Sequence, residues 1–328
     1  MQTPTDTPSL SPVDAGVVRR WAADDGPAAA ITRLVDPAHP LDAPLAAFAR
    51  SLAALAPRLR LAHEADPPPE PGPGLRLGAD LVFHLLPAGP ELPVFLAALR
   101  LSADPPPPPA PLAGLDLPAG LDLFVGPGCP VCPEMVRRLV PAAVAPGRLR
   151  LAVIDAAAFP AAAARHRVRA TPTLVLDGRF RWTGLVDPGE VWPVVMDRDP
   201  SRLGPAALET MLAEGEADRL AGMMIAAGRT FDALAELLTH PRWPVRLGAM
   251  VAVETLAERR PDLAADLVPV LLERYPGRPD AVRGDLLYVL GSIAAPADRP
   301  AIERLTAGES DPDVCEAAAE ALAALGEK

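Results

Sequence analysis

Apolar and polar positions along this chain alternate between the periods of helices and strands. Apolar residues at helical spacing predict a helix over residues 14–22, and Ala28-Ala29-Ala30-Ile31-Thr32-Arg33-Leu34-Val35 reads as a strand. A helix over 41–55 and a strand over 58–63 follow. After a Pro/Gly-rich stretch at 67–74, expected to be flexible, an extended segment over 80–86 leads to a helix over 91–101. This order predicts a compact α/β unit.

The run Pro105 to Pro109 must be stiff and extended, so residues 105–118 are expected to separate that unit from the next. The order then recurs: a strand over 121–125, a helix reaching Val144, a strand over 149–154 and a helix near 159–166. A strand over 173–176, a turn at Asp177-Gly178, a strand over 179–182 and a helix over 188–196 complete the second unit. The two halves are therefore expected to be duplicates in fold. Beyond about Leu203 strand signals stop. Val282 follows Val245 by 37 residues and Val314 follows Val282 by 32, each opening a similar amphipathic stretch, which predicts a helix-hairpin array over 203–328.

Composition narrows the functional classes. Aromatics are only 4%, too few for nucleic-acid stacking platforms, and a net charge of −11 opposes attraction to nucleic acid or anionic membranes. The 43 prolines are interleaved with periodic apolar residues, so they are not read as disorder. Residues 1–14, rich in Thr, Ser and Pro, are expected to form a loose leader without the basic start and apolar stretch of a secretory signal. Nowhere is there an apolar run of the ~18 residues that a membrane helix needs. The expected setting is cytoplasmic, where paired cysteines serve catalysis, redox sensing or metal binding more often than structure.

Chemistry concentrates at Cys129-Pro130-Val131-Cys132-Pro133, where a strand enters a Gly/Pro loop and then a helix expected to start near the first cysteine. The unpaired amides and positive dipole of a helix N-terminus stabilise a thiolate at Cys129, making it the nucleophile, and Cys132, a turn further in, suits resolution of a mixed disulfide. Pro130 and Val131 contribute no charge, and Pro133 is tolerated where amides lack intrahelical partners. One Cys-X-X-Cys can instead be half a zinc site, but there is no second pair and no His at suitable local spacing. An inert remnant is the other alternative. Asp122, on the strand before the motif, is a candidate buried proton carrier, or else a surface carboxylate. Cys315 stands where the earlier repeats have Arg246 and Arg283 and is read as a packed or idle thiol; His63 and His84 are read as ordinary strand residues.

Cys129-Pro130-Val131-Cys132-Pro133, Ile154-Asp155, Thr171-Pro172-Thr173, a first fold without cysteines and a linking helix near Leu92 to Leu101 together resemble a known family over residues 14–198. It is that of the tandem thioredoxin-fold proteins: protein disulfide oxidoreductases and the N-terminal domain of the F component of alkyl hydroperoxide reductase. The resemblance implies two tandem thioredoxin-like folds, and the C-terminal third separately resembles HEAT-like helical repeats, so the whole is expected to be α/β plus all-α. The implied divisions are a leader over 1–14, a degenerate fold over 15–104, a linker over 105–118, a redox fold over 119–200 and the repeats over 203–328. It further implies Cys129 as nucleophile, Cys132 as resolver, Pro172 as a cis proline whose neighbour Thr171 contacts substrate, and a counterpart for Asp122.

By the same resemblance the first fold is a structural or docking partner; its Asp36-Pro37-Ala38-His39-Pro40 loop has no cysteine to exchange. The flavin and nicotinamide region of that reductase component has no counterpart and no Gly-X-Gly-X-X-Gly appears, so no cofactor beyond the cysteine pair is expected, and a separate upstream reductase is. The expected partners are a protein disulfide or peroxidase-type client, and a protein bound on the repeats. A glutaredoxin-like use of glutathione, with Arg165, Arg167 and Arg169 as docking groups, and a redox-gated scaffold are the rival readings.

Overall fold

Ser11 accepts a hydrogen bond from the Asp14 amide at 3.0 Å and so caps helix α1 (Pro12–Ala23) in the computed structural model of this chain. The structure describes residues 10–24, 28–64 and 71–326. Of the expected leader over 1–14, residues 1–9 lie outside the described ones, and Pro12 to Asp14 belong to α1 because Ser11 supplies the cap and Pro12 suits a first helical turn. The described residues fall into two units, one ending at Asp197 and the other beginning at Arg198.

In the first unit α1 is followed by β1 (Ala30–Leu34), α2 (Asp42–Leu55), β2 (Arg60–Glu64), β3 (Gly74–Leu77), β4 (Leu81–His84) and α3 (Glu91–Ala103). Then come β5 (Ala119–Val125), α4 (Cys132–Val144), β6 (Leu149–Asp155), α5 (Pro160–Arg165), β7 (Thr173–Leu176), β8 (Phe180–Thr183) and α6 (Pro188–Met196). The strands form one mixed sheet in the order β2-β1-β3-β4-β6-β5-β7-β8. In its first half β1 runs parallel to β2, and β3 runs antiparallel to both β1 and β4. The second half repeats this, with β5 parallel to β6 and β7 antiparallel to both β5 and β8. Parallel pairing of β4 with β6, from Leu81 opposite Leu151 to His84 opposite Ile154, joins the halves.

Side chains alternate across the sheet. Leu121, Leu123, Val125, Leu151, Val153 and Leu174 face a core shared with α1, α2, α3, α4 and α6. Phe124, Ala152, Ile154 and Val175 face the other way, against Phe159 and the alanines of α5. The strands are short and carry aliphatic residues on both sides because helices cover both. β3 replaces the end of the stretch expected to be flexible over 67–74, of which 67–70 lie outside the described residues. The 105–118 segment is more than a spacer: a short 3₁₀ turn at Ala110–Leu112 places Leu112, 5% exposed, in the main core.

The second unit is helical: α7 (Pro205–Ala213), α8 (Ala217–Ala227), α9 (Asp232–Leu237), α10 (Trp243–Arg259), α11 (Pro261–Ala265), α12 (Val268–Arg274), α13 (Asp280–Ile293), α14 (Arg299–Thr306) and α15 (Pro312–Gly326). Val245, Val282 and Val314 are all buried near the starts of α10, α13 and α15, which pack side by side. Arg246, almost wholly buried, ties α10 to Asp285 of α13 at 2.6 Å and also donates to the carbonyls of His240 and Pro241. Among the described residues no helix is long and apolar enough to cross a membrane.

Candidate redox site

β5 delivers the chain to Val125 at the edge of the core, and Gly126-Pro127-Gly128 turns it toward α4. Gly128 has φ of +73°, a conformation few other residues adopt readily, and the Cys129 amide donates to the Gly126 carbonyl at 3.2 Å. The helix does not start at the first cysteine as its sequence suggests: α4 begins at Cys132, with Val131 before it. The reason lies in Pro130 and Pro133, which lack amide donors and restrict the residues before them, so the regular helix is delayed until Pro133 occupies its first turn. Cys129 therefore sits in the turn leading into α4.

Cys129 and Cys132 form a disulfide, with Cα atoms 5.5 Å apart. Their environments differ. Cys132 is 0% exposed and packs in the main core with the odd-numbered residues of β5, whereas Cys129 is only partly buried. Pro127, Gly128, Pro130 and Val131 around it are exposed, Val131 by 38%. Glu134, in the first turn of α4, is held by Arg137 and Arg138, whose hydrogen bonds keep its carboxyl below the usual range.

The Thr171–Pro172 peptide bond is cis. It places the Thr171 carbonyl oxygen 3.6 Å from the Cys129 sulfur, so the two elements separated in sequence meet. Two further contacts hold this loop. The Gly184 amide donates to the Pro172 carbonyl at 2.8 Å, and the Thr173 hydroxyl donates to the Ala170 carbonyl at 2.7 Å. The loop comes close to Gly126, where a Cβ would lie 3.0 Å from Thr171 Oγ1. Gly126 is a residue that sequence reasoning missed; its only signal is the Gly-Pro-Gly cluster before the motif. Trp182, partly buried against the same core as Cys129, was missed too, with no local pattern to distinguish it.

Asp122 is not brought to the cysteines. It stands opposite Ala152 and Val175, on the sheet face occupied by Phe124 and α5, while Cys132 packs on the other face. Its carboxylate lies 3.8 Å from His166 Nε2. Burial raises its pKa, opposed first by Arg150 and then by His166, although the side chain keeps about a third of its surface exposed, 35%. The strand's alternation was the signal available: Val125 and Cys132 share a core from which Asp122 is out of phase.

The loop after β1 occupies the corresponding place in the first half. Asp42 there accepts from Arg33 at 2.7 Å and from the Asp36 amide at 3.0 Å, and His39 stacks on Phe159 with ring centres 4.6 Å apart. His63 hydrogen-bonds Arg33 and His84 is buried. Cys315 is an exposed free thiol on α15, so the packed alternative for it fails; Val314 and Ala318 supply the buried side of that helix.

Residues 121–194 match the family model of the thioredoxin domain. The chain is similar to the NTD N/C domain of the alkylhydroperoxide reductase AhpF from Enterococcus faecalis, at 19% identity over 57% of this chain and 99% of that one, with a TM-score of 0.47. It is also similar to a protein disulfide oxidoreductase from Aeropyrum pernix, at 17% identity over 59% of this chain and 95% of that one, with a TM-score of 0.51. At that identity the second likeness speaks for the fold. No curated protein matches. The chain thus combines a mixed α/β sheet containing a thioredoxin-like fold, a cysteine pair at disulfide distance and a helical C-terminal unit.

Proposed function

We propose that this protein is a thiol-disulfide oxidoreductase that exchanges electrons with protein disulfides through Cys129 and Cys132. One observation carries the reading: the sulfur that a client can reach, Cys129, lies beside the carbonyl of a residue preceding a cis proline, while its partner Cys132 is sealed in the core. In the reduced protein the positive end of α4 favours negative charge on the Cys129 sulfur. That thiolate attacks one sulfur of a client disulfide, forming a mixed disulfide and expelling the first client thiolate. The Cys132 thiolate then attacks Cys129, expels the second client thiolate and leaves the Cys129–Cys132 disulfide. An external dithiol, supplied by a separate reductase, takes up the disulfide and restores both thiols. No flavin or nicotinamide enters this scheme.

Half-buried Thr171, backed by the buried Pro172, borders the path along which an extended client segment lies, and Pro130 and Val131 form its exposed apolar floor. The matching strand pairing of β2-β1-β3-β4 and β6-β5-β7-β8 supports reading the sheet as two thioredoxin-like folds, the first without cysteines. The second unit is read as a HEAT-like array that binds a protein partner, and the setting as cytoplasmic. Glutathione is a second reading, favoured by the exposure of Arg167 and Arg169 just before the cis proline.

Reduction of insulin by dithiothreitol tests the proposal. The wild type is expected to accelerate it well above background and Cys129→Ser to abolish the acceleration; equal rates with and without the protein would sink the oxidoreductase reading.

A further inference from the structure

Trp243, Leu247 and Val251 lie four residues apart along α10 and are exposed by 54%, 39% and 41%. At 100° per residue all three point away from buried Val245, so α10 presents an apolar stripe to solvent opposite its core face. Tyr288 of α13, 52% exposed, continues the stripe sideways: its hydroxyl donates to Glu254 of α10 at 2.6 Å. Isolated exposed apolar residues are ordinary, but a contiguous row is not.

Val245, Val282 and Val314 put the three helices in one phase, which allows the row to be followed across the unit. Two residues beyond each valine stand Leu247, Gly284 and Glu316; six beyond stand Val251, Tyr288 and Glu320. Gly284 leaves the middle bare, since a Cβ there would meet nothing within 4 Å among the described residues. Glu316 and Glu320 are exposed, with no ion-pair partner among the described residues. The cations near the apolar end are already neutralised: Arg242 by Glu209, Arg246 by Asp285 and Arg259 by Asp218. The surface therefore changes from apolar over the first half of α10, whose second half carries Glu254, bonded to Tyr288, and exposed Glu258, through an aromatic on α13, to acidic on α15.

We propose that the α10–α13–α15 face docks a partner segment carrying aliphatic anchors at one end and a Lys/Arg cluster at the other, the aliphatic side chains on Trp243, Leu247 and Val251 and the cations on Glu316 and Glu320. It rests on reading the helical unit as partner-binding, and adds where the partner sits and what its chemistry is. Neighbouring helix axes lie about 8–10 Å apart, so the two ends of the face are separated by roughly 20 Å. An extended segment covers that with about six residues. Desolvation of the apolar row supplies affinity, and the acidic end sets the polarity in which the segment lies.

The test uses the full-length protein and two synthetic peptides, a leucine block and a lysine block joined by a Gly/Ser spacer and its twin with glutamate for lysine. Binding is followed by anisotropy of a labelled peptide and by a blue shift of tryptophan emission that Trp243→Phe removes, since Trp21, Trp182 and Trp192 also emit. The lysine peptide is expected to bind at least tenfold more tightly than its twin at low salt, with the gap narrowing as salt rises. Leu247→Ser with Val251→Ser should weaken it more than tenfold, and Glu316→Gln with Glu320→Gln severalfold. All four positions are exposed, so thermal unfolding and insulin turnover should stay unchanged. Equal binding of both peptides, or binding indifferent to these substitutions, overturns the assigned face while leaving partner binding by the unit standing. Failure of both peptides to bind, with self-association through the same face in sedimentation, assigns the row to a second copy and overturns the proposal; failure of both without self-association overturns the partner-binding reading as well.

Discussion

At Gly126 a side chain would have to share space with Thr171: an added Cβ would lie 3.0 Å from Oγ1 and 3.5 Å from Cγ2. Gly→Ala at a compatible backbone position ordinarily stabilises by up to about 1 kcal/mol through the unfolded chain, so the sign here depends on Thr171. Gly126→Ala is expected to destabilise by about 1–2 kcal/mol in urea unfolding, as overpacking does. In a Thr171→Ala background, where the nearest side-chain atom is Cβ at 3.7 Å, the same change should become neutral or stabilising. A cost that persists in that background would contradict the contact. Asp122 gives the opposite kind of prediction. Burial raises its folded pKa, so the charged form disfavours folding at neutral pH and costs nothing once the carboxyl is protonated in both states. Asp122→Asn should therefore stabilise at pH 7 but not at pH 3, and keep insulin turnover within about twofold. A loss of tenfold or more would support the proton-carrier role. The cysteine pairing and the cis bond before Pro172 were legible because both are local. The surroundings of Asp122 were not, because they depend on which sheet face it occupies, and that parity is visible only once the core is known.

Among the elements, the strands and helices with clear periodicity were legible to within a few residues, while β3 was not. Its four residues lie between Pro73 and Gly78, which read as loop punctuation, and it exists because both of its edges find partners in β1 and β4. His84 closes that hairpin. It is 1% exposed, its Nδ1 lies 3.1 Å from the Pro73 carbonyl, and its Nε2 has no hydrogen-bond partner among the described residues. Burial lowers its pKa from 6.5 to about 4. The folded state thus refuses a proton that the unfolded chain accepts, so stability is fully present above pH 6.5 and declines as pH falls toward 4. The size of the effect is about 3 kcal/mol. Urea midpoints measured from pH 7 to pH 4 should fall more steeply for the wild type than for His84→Asn; parallel curves would contradict a buried neutral imidazole.

For the whole molecule, the succession of two α/β stretches and a helical stretch could be read from period alone, but the union of the α/β stretches in one sheet could not. β4 and β6 are about seventy residues apart, and nothing local to either strand marks the other as its neighbour. The helical unit was legible through its recurring valines, each of which the structure buries. What the molecule does rests on one claim, that Cys129 is the sulfur that meets the client. The most direct measurement uses Cys132→Ser with the exposed Cys315 also changed to Ser, incubated in reduced form with a disulfide-containing peptide and analysed by mass spectrometry. A stable one-to-one mixed disulfide is expected at Cys129, and no adduct when Cys129→Ser leaves the buried Cys132 as the sole thiol. An adduct at Cys132, or none at either position while the wild type still reduces insulin, would contradict that claim.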